Sequence, residues 1–143
     1  MPKIVPLNEE VTFEEVGVVG RPIISKTDLK GIITFVNSAF CKLAGYDKSE
    51  LVGKPHNLVR HPDMPKAAFK KLWETIEKNE QWRGFVKNLR KDGKYYWVEA
   101  TIQPMFDENG NKVGYISARK PVSEKDKEKY EKLYKELTQK EEK

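Results

Sequence analysis

The sequence has little of what disulfide-linked, secreted or membrane-spanning proteins need. Cys41 is the single cysteine among 143 residues, which excludes an internal disulfide bond and fits a reducing cytosol. The apolar runs are short and interrupted by charges, and none approaches the roughly 20 residues needed to cross a bilayer. The first ten residues have no continuous apolar core of the kind that a signal peptide carries. We therefore expect a cytoplasmic protein without direct membrane insertion.

A concentrated basic surface is also missing. The net charge is +5, but the segment from Pro121 onward contains equal numbers of lysines and acidic residues, so the excess lies upstream and is scattered there. One modest cluster stands out, formed by Arg60, Lys66, Lys70 and Lys71. A scattered excess without a base-reading motif argues against a nucleic-acid partner. The cluster could instead favour an anionic group of a ligand.

A chain of this length is most simply one folded domain with short extensions. We expect an N-terminal arm over residues 1–21, a folded domain over 22–120 and a charged helix over 121–143. The composition of the arm is mixed, and it contains four residues that disfavour regular structure: Pro2, Pro6, Gly17 and Gly20. We therefore expect the arm to stand outside the core.

The pattern within residues 22–120 predicts an α+β domain. Two short strands form a hairpin over residues 22–36, and a short helix from Ser38 to Ala44 follows, stopped by Gly45. After a loop and a longer helix, the turns Lys91-Asp-Gly-Lys94 and 107–112 join three further strands. Five strands in this order predict an antiparallel sheet with short helices on one face.

The loop from Lys54 to Lys66 is unusually rich in polar groups and in proline. Each proline holds the preceding residue extended, so that His61 and Met64 lie on a stiff path. Asp63 could cap the helix that follows, with Pro65 tolerated in its first turn. The loop is thus either a capped entry to a helix or a ligand-binding loop, because rigid polar loops often carry function.

The helix predicted over residues 66–78 has one apolar face. Its members recur at helical spacing: Phe69, Leu72, Trp73 and Ile76. On the strand that follows, Asn88 places an amide where a core-facing strand has little use for one.

The charged C-terminal helix carries a narrow apolar stripe. Ser123 to Asp126 resembles a capping box, and four residues follow at helical spacing: Tyr130, Leu133, Tyr134 and Leu137. A stripe this short does not support a free helix in water. It must be covered, either by the sheet of the same domain or by a partner.

Several motifs in this order resemble a PAS sensory domain over about residues 22–119. They are Ile-Thr-Phe-Val-Asn37-Ser-Ala-Phe-Cys-Lys-Leu-Ala-Gly-Tyr46, Leu51-Val-Gly-Lys-Pro55, Lys91-Asp-Gly93 and Gln103-Pro-Met-Phe-Asp-Glu-Asn-Gly110. A longer run, Pro55 to Phe69, with Trp73, Asn88 and Tyr96-Trp-Val98, is similar to the flavin-binding PAS domains of bacterial aerotaxis receptors. The long run makes this second resemblance much more specific than the first.

The resemblance implies a domain that holds FAD without a covalent bond and responds to the redox state of respiration. Residue by residue, it points to seven positions for flavin binding: Asn37, Arg60, His61, Asp63, Phe69, Trp73 and Asn88. Arginine and histidine suit phosphate or ribityl oxygens, aromatic rings offer flat apolar surface, and an amide suits the pyrimidine edge of the ring system.

Other interpretations of these residues stay open. Phe69 and Trp73 would be core residues with or without a ligand, and Asn37 could be only a helix cap. His61 could be an axial haem ligand, as in other PAS domains. The chain could also be a flavin-free PAS module for dimerisation or docking, whereas a flavoenzyme is disfavoured because no paired base or nucleophile is evident. Light sensing is disfavoured because Val59-Arg60-His61-Pro62 lies where photosensing relatives carry a reactive cysteine.

A sensor of this kind must present its state to a partner, which we expect to be a chemotaxis-type signalling protein or a second copy of the chain. The surfaces expected to be free for that contact are the N-terminal arm, the striped C-terminal helix and the outer face of the sheet. Three residues mark that outer face: Trp97, Thr101 and Gln103.

Overall fold

The computed structural model describes residues 4–142 as a five-stranded sheet with helices against both of its faces. The strands are β1 (Ile23–Thr27), β2 (Ile33–Val36), β3 (Trp82–Leu89), β4 (Tyr95–Phe106) and β5 (Lys112–Lys120). The helices are α1 (Ser38–Ala44), α2 (Lys48–Leu51), a 3₁₀ turn (His56–Val59), α3 (Lys66–Glu77) and α4 (Glu124–Glu141). Residues 1–3, which include Pro2 of the expected arm, and residue 143 lie outside the described residues.

The strands pair only in the antiparallel sense, in the order β2-β1-β5-β4-β3. The β3–β4 hairpin closes at Asp92-Gly93, where Gly93 has a φ of 90° and the Arg90 and Lys94 backbones pair at 2.8 Å. The first and last strands of the domain thus meet in the middle of the sheet. The α+β class and the five-stranded antiparallel sheet are confirmed.

Short helices cover one face of this sheet, and their ends are set by local chemistry. The Asn37 side chain accepts a hydrogen bond from the Phe40 amide at 3.0 Å and caps α1. Gly45 ends α1 in the left-handed conformation, and Asn79, with a φ of 65°, follows the end of α3. The α1 side chains Phe40 and Leu43 are at most 1% exposed, so this face forms the core.

The segment before β1 was expected to stand outside the core, and this expectation is wrong for its second half. Val11, Phe13 and Val18 are all less than 7% exposed, and Val18 is fully buried. The backbone of Tyr95 exchanges hydrogen bonds with Glu9 and Val11, which attaches the segment to the start of β4. Apolar residues between the glycines and prolines therefore decide the position of this segment.

Helix α4 lies on the opposite face of the sheet and covers Trp97, one of three residues that were expected to be free, whereas Gln103 is exposed. Trp97 is only 4% exposed, and its ring stacks on that of Tyr134 at 6.1 Å. The Tyr134 hydroxyl donates to the Phe85 carbonyl at 2.7 Å, and the Phe85 and Tyr130 rings lie 4.5 Å apart. The prediction that Trp97 is a free surface residue is therefore wrong, because the apolar stripe of α4 packs on the sheet of its own domain.

The predicted start of α4 agrees with the structure, whereas the predicted cap of α3 does not. Ser123 accepts from the Asp126 amide at 3.2 Å and begins α4. At α3, Pro65 occupies the cap position, and the first amides, those of Lys66 and Ala67, donate to the Glu141 carboxylate at 2.8 and 2.9 Å. Asp63 is therefore not the cap.

Over residues 4–142, none of the helices combines the length and the apolarity that crossing a bilayer requires.

Candidate ligand-binding site

A cavity of about 350 Å³ lies between the sheet and α3. Its volume falls in the range of roughly 300–1,000 Å³ that is usual for small-molecule sites. The apolar part of its wall comes from both layers: Leu72, Ile76, Val86, Ala100 and Ile102. Four of the seven residues that the sequence singled out also line it: Arg60, Phe69, Trp73 and Asn88.

Aromatic side chains form one side of this cavity. Trp73 meets Tyr115 edge to face, with the ring centroids 5.8 Å apart. Gly31 faces the same indole, and a Cβ atom at this position would lie 3.2 Å from two of its ring atoms. Because Gly31 also has a φ of 87°, this turn favours glycine on two grounds and lets the indole approach the backbone. The result is a flat, largely apolar wall.

A short backbone bridge between Arg60 and Asn88 joins β3 to the loop from Lys54 to Lys66, which we call the central loop. The Arg60 guanidinium stacks on the Phe69 ring, 3.6 Å from its centroid. Such a stack holds the guanidinium by cation–π attraction. One backbone contact therefore places two of the predicted residues in the same wall, although 28 positions separate them in the chain.

Two polar side chains of the wall are buried. Asn88 is 4% exposed and Ser117 is 6% exposed. The Ser117 hydroxyl has no hydrogen-bond partner among the described residues. A buried polar atom without a partner costs about 1–3 kcal/mol. An unpaired hydroxyl in the wall of a cavity fits a site in which a polar ligand supplies the missing hydrogen bond.

A buried cationic cluster forms another part of the wall. The Arg119 guanidinium donates to the Ser25 hydroxyl at 3.1 Å and contacts the His56 Nε2 atom at 2.9 Å. It also lies over the Phe40 ring, 4.9 Å from its centroid. Burial together with the nearby Arg119 charge lowers the pKa of His56 to about 3. Burial also lowers the pKa of Arg119 to about 10, so the guanidinium keeps its charge at neutral pH.

His61 and Asp63 do not line this cavity. The His61 Nδ1 atom accepts from the Asp63 amide at 2.9 Å, which links the side chain to the backbone of its own loop, and the ring packs edge to face on Tyr95 at 6.1 Å. The His61 pKa is lowered by burial and then by the charge of Lys87. A neutral imidazole with one nitrogen engaged in this way, outside the cavity, gives no support to the haem interpretation.

The Asp63 carboxylate binds Lys87 on the other face of the sheet. The Lys87 ammonium is 2.9 Å from the Asp63 carboxylate and 2.9 Å from that of Glu131 in α4, and it lies 4.3 Å from the Tyr95 ring centroid. Burial lowers the pKa of Lys87, but the hydrogen bonds to these two carboxylates raise it by more, so the pKa lies above its usual range. Lys87 directly precedes Asn88 in β3, so one of these neighbours lies on the α4 face of the sheet and the other lines the cavity.

Asn37 is likewise outside the cavity. Its side-chain oxygen accepts from the amides of Phe40 and Ile24, and its amide nitrogen donates to the Pro22 carbonyl at 2.8 Å. All the hydrogen bonds that the structure shows for this side chain thus serve to join α1 to β1. Any effect of Asn37 on a ligand would be exerted through the framework.

The polar residues of the cavity that sequence reasoning missed include Ser25, His56, Ser117 and Arg119. A signal for two of them existed. Ser117 and Arg119 alternate with the core-facing Tyr115 on β5, and a charged residue on the buried side of a strand is uncommon. Ser25 and His56 gave no such signal, because their proximity depends on how the 3₁₀ turn meets β1.

An antiparallel sheet with short helices on one face and an amphiphilic cavity beneath them is the architecture of a ligand-binding sensory domain. The family described as the PAS fold matches residues 33–119, and the chain belongs to this family. The aerotaxis receptor of Escherichia coli (strain K12) is 49% identical over 115 residues, which are 80% of this chain and 22% of the receptor. Within the PAS family, the domain is of the aerotaxis-receptor type.

Solved structures give the same result for the fold. A PAS domain from Colwellia psychrerythraea has a TM-score of 0.64 at 29% identity and covers 71% of this chain and 86% of its own. A light-oxygen-voltage domain studied with a flavin analogue has a TM-score of 0.67 at 27% identity and covers 78% and 84%. The chain spans about a fifth of the length of its first curated relatives, which are a receptor and a regulatory protein by name.

Proposed function

We propose that the domain binds FAD non-covalently in the cavity and acts as a redox sensor for aerotaxis or energy taxis. The observation that carries the proposal is the wall itself, in which an aromatic side faces a buried amide and an unpaired hydroxyl, Asn88 and Ser117. The 49% identity to an aerotaxis receptor supports it. A bound flavin would supply reversible electron uptake, which the protein side chains lack.

The residues fit such a group by their chemistry. Phe69 and Trp73 provide flat apolar contact for an aromatic ring system. The Asn88 amide, with one donor and one acceptor group, matches an imide edge. Arg60, which is only partly buried, suits a phosphate of the ligand. Asn37, His61 and Asp63 would support binding indirectly, by fixing the first helix and the loop that carries Arg60.

The output we propose is contact with a chemotaxis-type signalling protein or with a second copy of the chain. Residues 124–141 offer a route, because Glu131 of α4 binds Lys87, the neighbour of Asn88. A change of ligand state that alters this packing needs a difference in free energy between the states. Hydrogen exchange of α4 and of residues 4–20 in the oxidised and reduced protein would show it. Equal protection in both states, with unchanged self-association, would argue against this output.

The absorption spectrum of the purified protein tests cofactor binding. We expect flavin bands that bleach on reduction, and a released cofactor that co-elutes with FAD rather than FMN. Asn88→Ala should lower the flavin content, whereas the matched control Asn109→Ala, in the exposed β4–β5 turn, should not. A haem spectrum, or a colourless protein that takes up no added FAD, would overturn the proposal and leave the docking module as the better account.

A further inference from the structure

The cavity has cationic side chains in its wall but no acidic ones. Lys30, Arg60 and Arg119 line it, and no aspartate or glutamate does. Lys30 is exposed and Arg60 is partly buried, whereas Arg119 is 8% exposed. A buried charge normally requires a partner of opposite sign. Arg119 is therefore the cation whose lack of a negatively charged partner needs an explanation.

Arg119 has neutral hydrogen-bond partners instead of a counter-ion. Within residues 4–142, no carboxylate lies within 4.0 Å of its guanidinium. Because a guanidinium can only donate, the His56 Nε2 atom must accept, so His56 is neutral and carries its proton on Nδ1. The nearby phenol of Tyr96 is neutral too, since burial raises its pKa to about 12. One full positive charge thus stays uncompensated beside the cavity.

We propose that Arg119, positioned by Ser25 and His56, is the counter-charge for the ring of the ligand and makes the site bind a flavin more tightly when the ring is negatively charged. This inference rests on the proposed flavin function. Reduction by dithionite transfers two electrons to the ring, which takes up one proton from water and so gains one negative charge. A cation fixed in a site of low polarity attracts that charge strongly. Tighter binding of the reduced form raises the reduction potential by linkage.

The test compares the affinity ratio of reduced to oxidised flavin in three variants. The ratio follows from the midpoint potentials of bound and free FAD, because a tenfold change equals about 30 mV for a two-electron couple. Arg119→Met should lower the ratio at least tenfold, and Arg119→Lys should restore most of it. The control is Lys120→Met, which removes an equal charge from the next residue, whose side chain is 63% exposed. We expect it to change the ratio less than twofold.

A second comparison separates the ring from the phosphates. If Arg119 pairs with the ring, Arg119→Met should weaken FAD and riboflavin to the same extent in the reduced state. If it pairs with a phosphate, FAD alone will weaken, and the proposal is overturned. Arg60→Met should show that FAD-only pattern.

The wild-type protein gives a test that needs no variant, in case Arg119→Met does not fold. The midpoint potential of bound FAD should then lie above that of free FAD. Binding with an equal or lower potential would overturn the inference about Arg119 and leave the flavin site in place. A wild-type protein that takes up no flavin would instead remove the proposed function itself.

Discussion

The two faces of the sheet each bury a cation, and they treat it in opposite ways. On the α4 face, Lys87 is held at 2.9 Å by each of two carboxylates, Asp63 and Glu131. On the cavity face, the Arg119 guanidinium has hydrogen bonds only to the neutral groups of Ser25 and His56. Both side chains are less than a tenth exposed. The protein therefore supplies the counter-charge on one face and leaves it out on the other.

This difference separates a structural charge from a functional one. Lys87 joins three elements, the central loop, β3 and α4, and its two partners belong to the same chain. Arg119 stands beside a cavity that contains further buried polar groups, among them Asn88 and Ser117. A fold selected only for stability would have little reason to keep a cation without a counter-charge beside the unpaired Ser117 hydroxyl. We therefore infer that the paired charge of Lys87 is structural, whereas the unpaired charge of Arg119 serves the proposed ligand.

The largest expected effect comes from making Lys87 resemble Arg119. Replacing both partners, in the double variant Asp63→Asn with Glu131→Gln, leaves a buried ammonium without a counter-charge. Loss of such a partner costs about 3 to 4 kcal/mol of the free energy of unfolding. Denaturant titration followed by circular dichroism measures it. The control is Glu99→Gln, because the two partners of Glu99, Arg83 and Lys120, are exposed. Loss of the Glu99 charge should lower the free energy of unfolding by less than about 1 kcal/mol. A double variant as stable as this control would remove the distinction.

The cavity face should separate stability from flavin binding. Trp73→Ala should lower the free energy of unfolding by about 2 to 3 kcal/mol, somewhat less than for a fully buried tryptophan, and should also abolish flavin uptake. Arg60→Ala, His61→Ala and Asp63→Ala should lower flavin content while the fold survives. Flavin stoichiometry measured beside thermal denaturation distinguishes these outcomes. If the three loop variants unfold as badly as Trp73→Ala, the loop has a structural role instead.

A pH effect of intermediate size should come from the cavity histidine. The pKa of His56 is about 3 in the folded protein and about 6.5 in the unfolded chain. Between these values the unfolded chain binds a proton that the folded protein does not, so stability falls as the pH drops below about 6.5. We expect a loss of about 1 to 2 kcal/mol from pH 7 to pH 5, to which the lowered pKa of His61 adds in the same direction.

His56→Gln is the matched variant for this pH effect. The glutamine amide can still accept from Arg119, but it does not titrate, so unfolding free energies measured at pH 7 and pH 5 should differ less in this variant than in the wild type. An equal drop in both proteins would show that another group is responsible.

The smallest expected effect concerns the contact of α4 with the sheet. Tyr134→Phe keeps the ring on Trp97 but removes the hydrogen bond to the Phe85 carbonyl, which should cost about 1 kcal/mol. Flavin content should not change. Tyr130→Phe is the control, because no hydrogen bond from its hydroxyl is among those that the described residues form. Loss of flavin on Tyr134→Phe would show that α4 and the cavity are coupled more strongly than the comparison implies.

Most of the fold could be predicted from local patterns. The turns at Asp92-Gly93 and Gly45 and the apolar face of α3 depend on residues close together in sequence, and they lie where they were expected. The errors at Trp97 and Val18 have another origin. Both residues are buried by contacts with segments far away in the chain, and a period of two or of 3.6 residues does not reveal which surface a distant segment will cover.

The site was only partly predictable for the same reason. Phe69, Trp73, Arg60 and Asn88 came from a contiguous motif and from an amide on a core-facing strand, and the structure places them together. Their role in flavin binding stays a prediction. The Arg119 cluster joins two strands, β1 and β5, and the 3₁₀ turn through contacts that span up to 94 positions. Motif resemblance carried no signal for it, and only the position of Arg119 on the buried side of β5 set one of its members apart.

Hydrogen exchange with and without oxidised FAD tests the central claim most directly, namely that one face of the sheet holds a ligand and the other holds the fold together. Amides that open locally should gain protection where the ligand binds. The account predicts added protection in residues 54–76, 86–89 and 115–119, with α4 (Glu124–Glu141) little changed. Protection gained in α4 while residues 54–76 stay as they were would contradict it, because the ligand would then occupy the face assigned to structure.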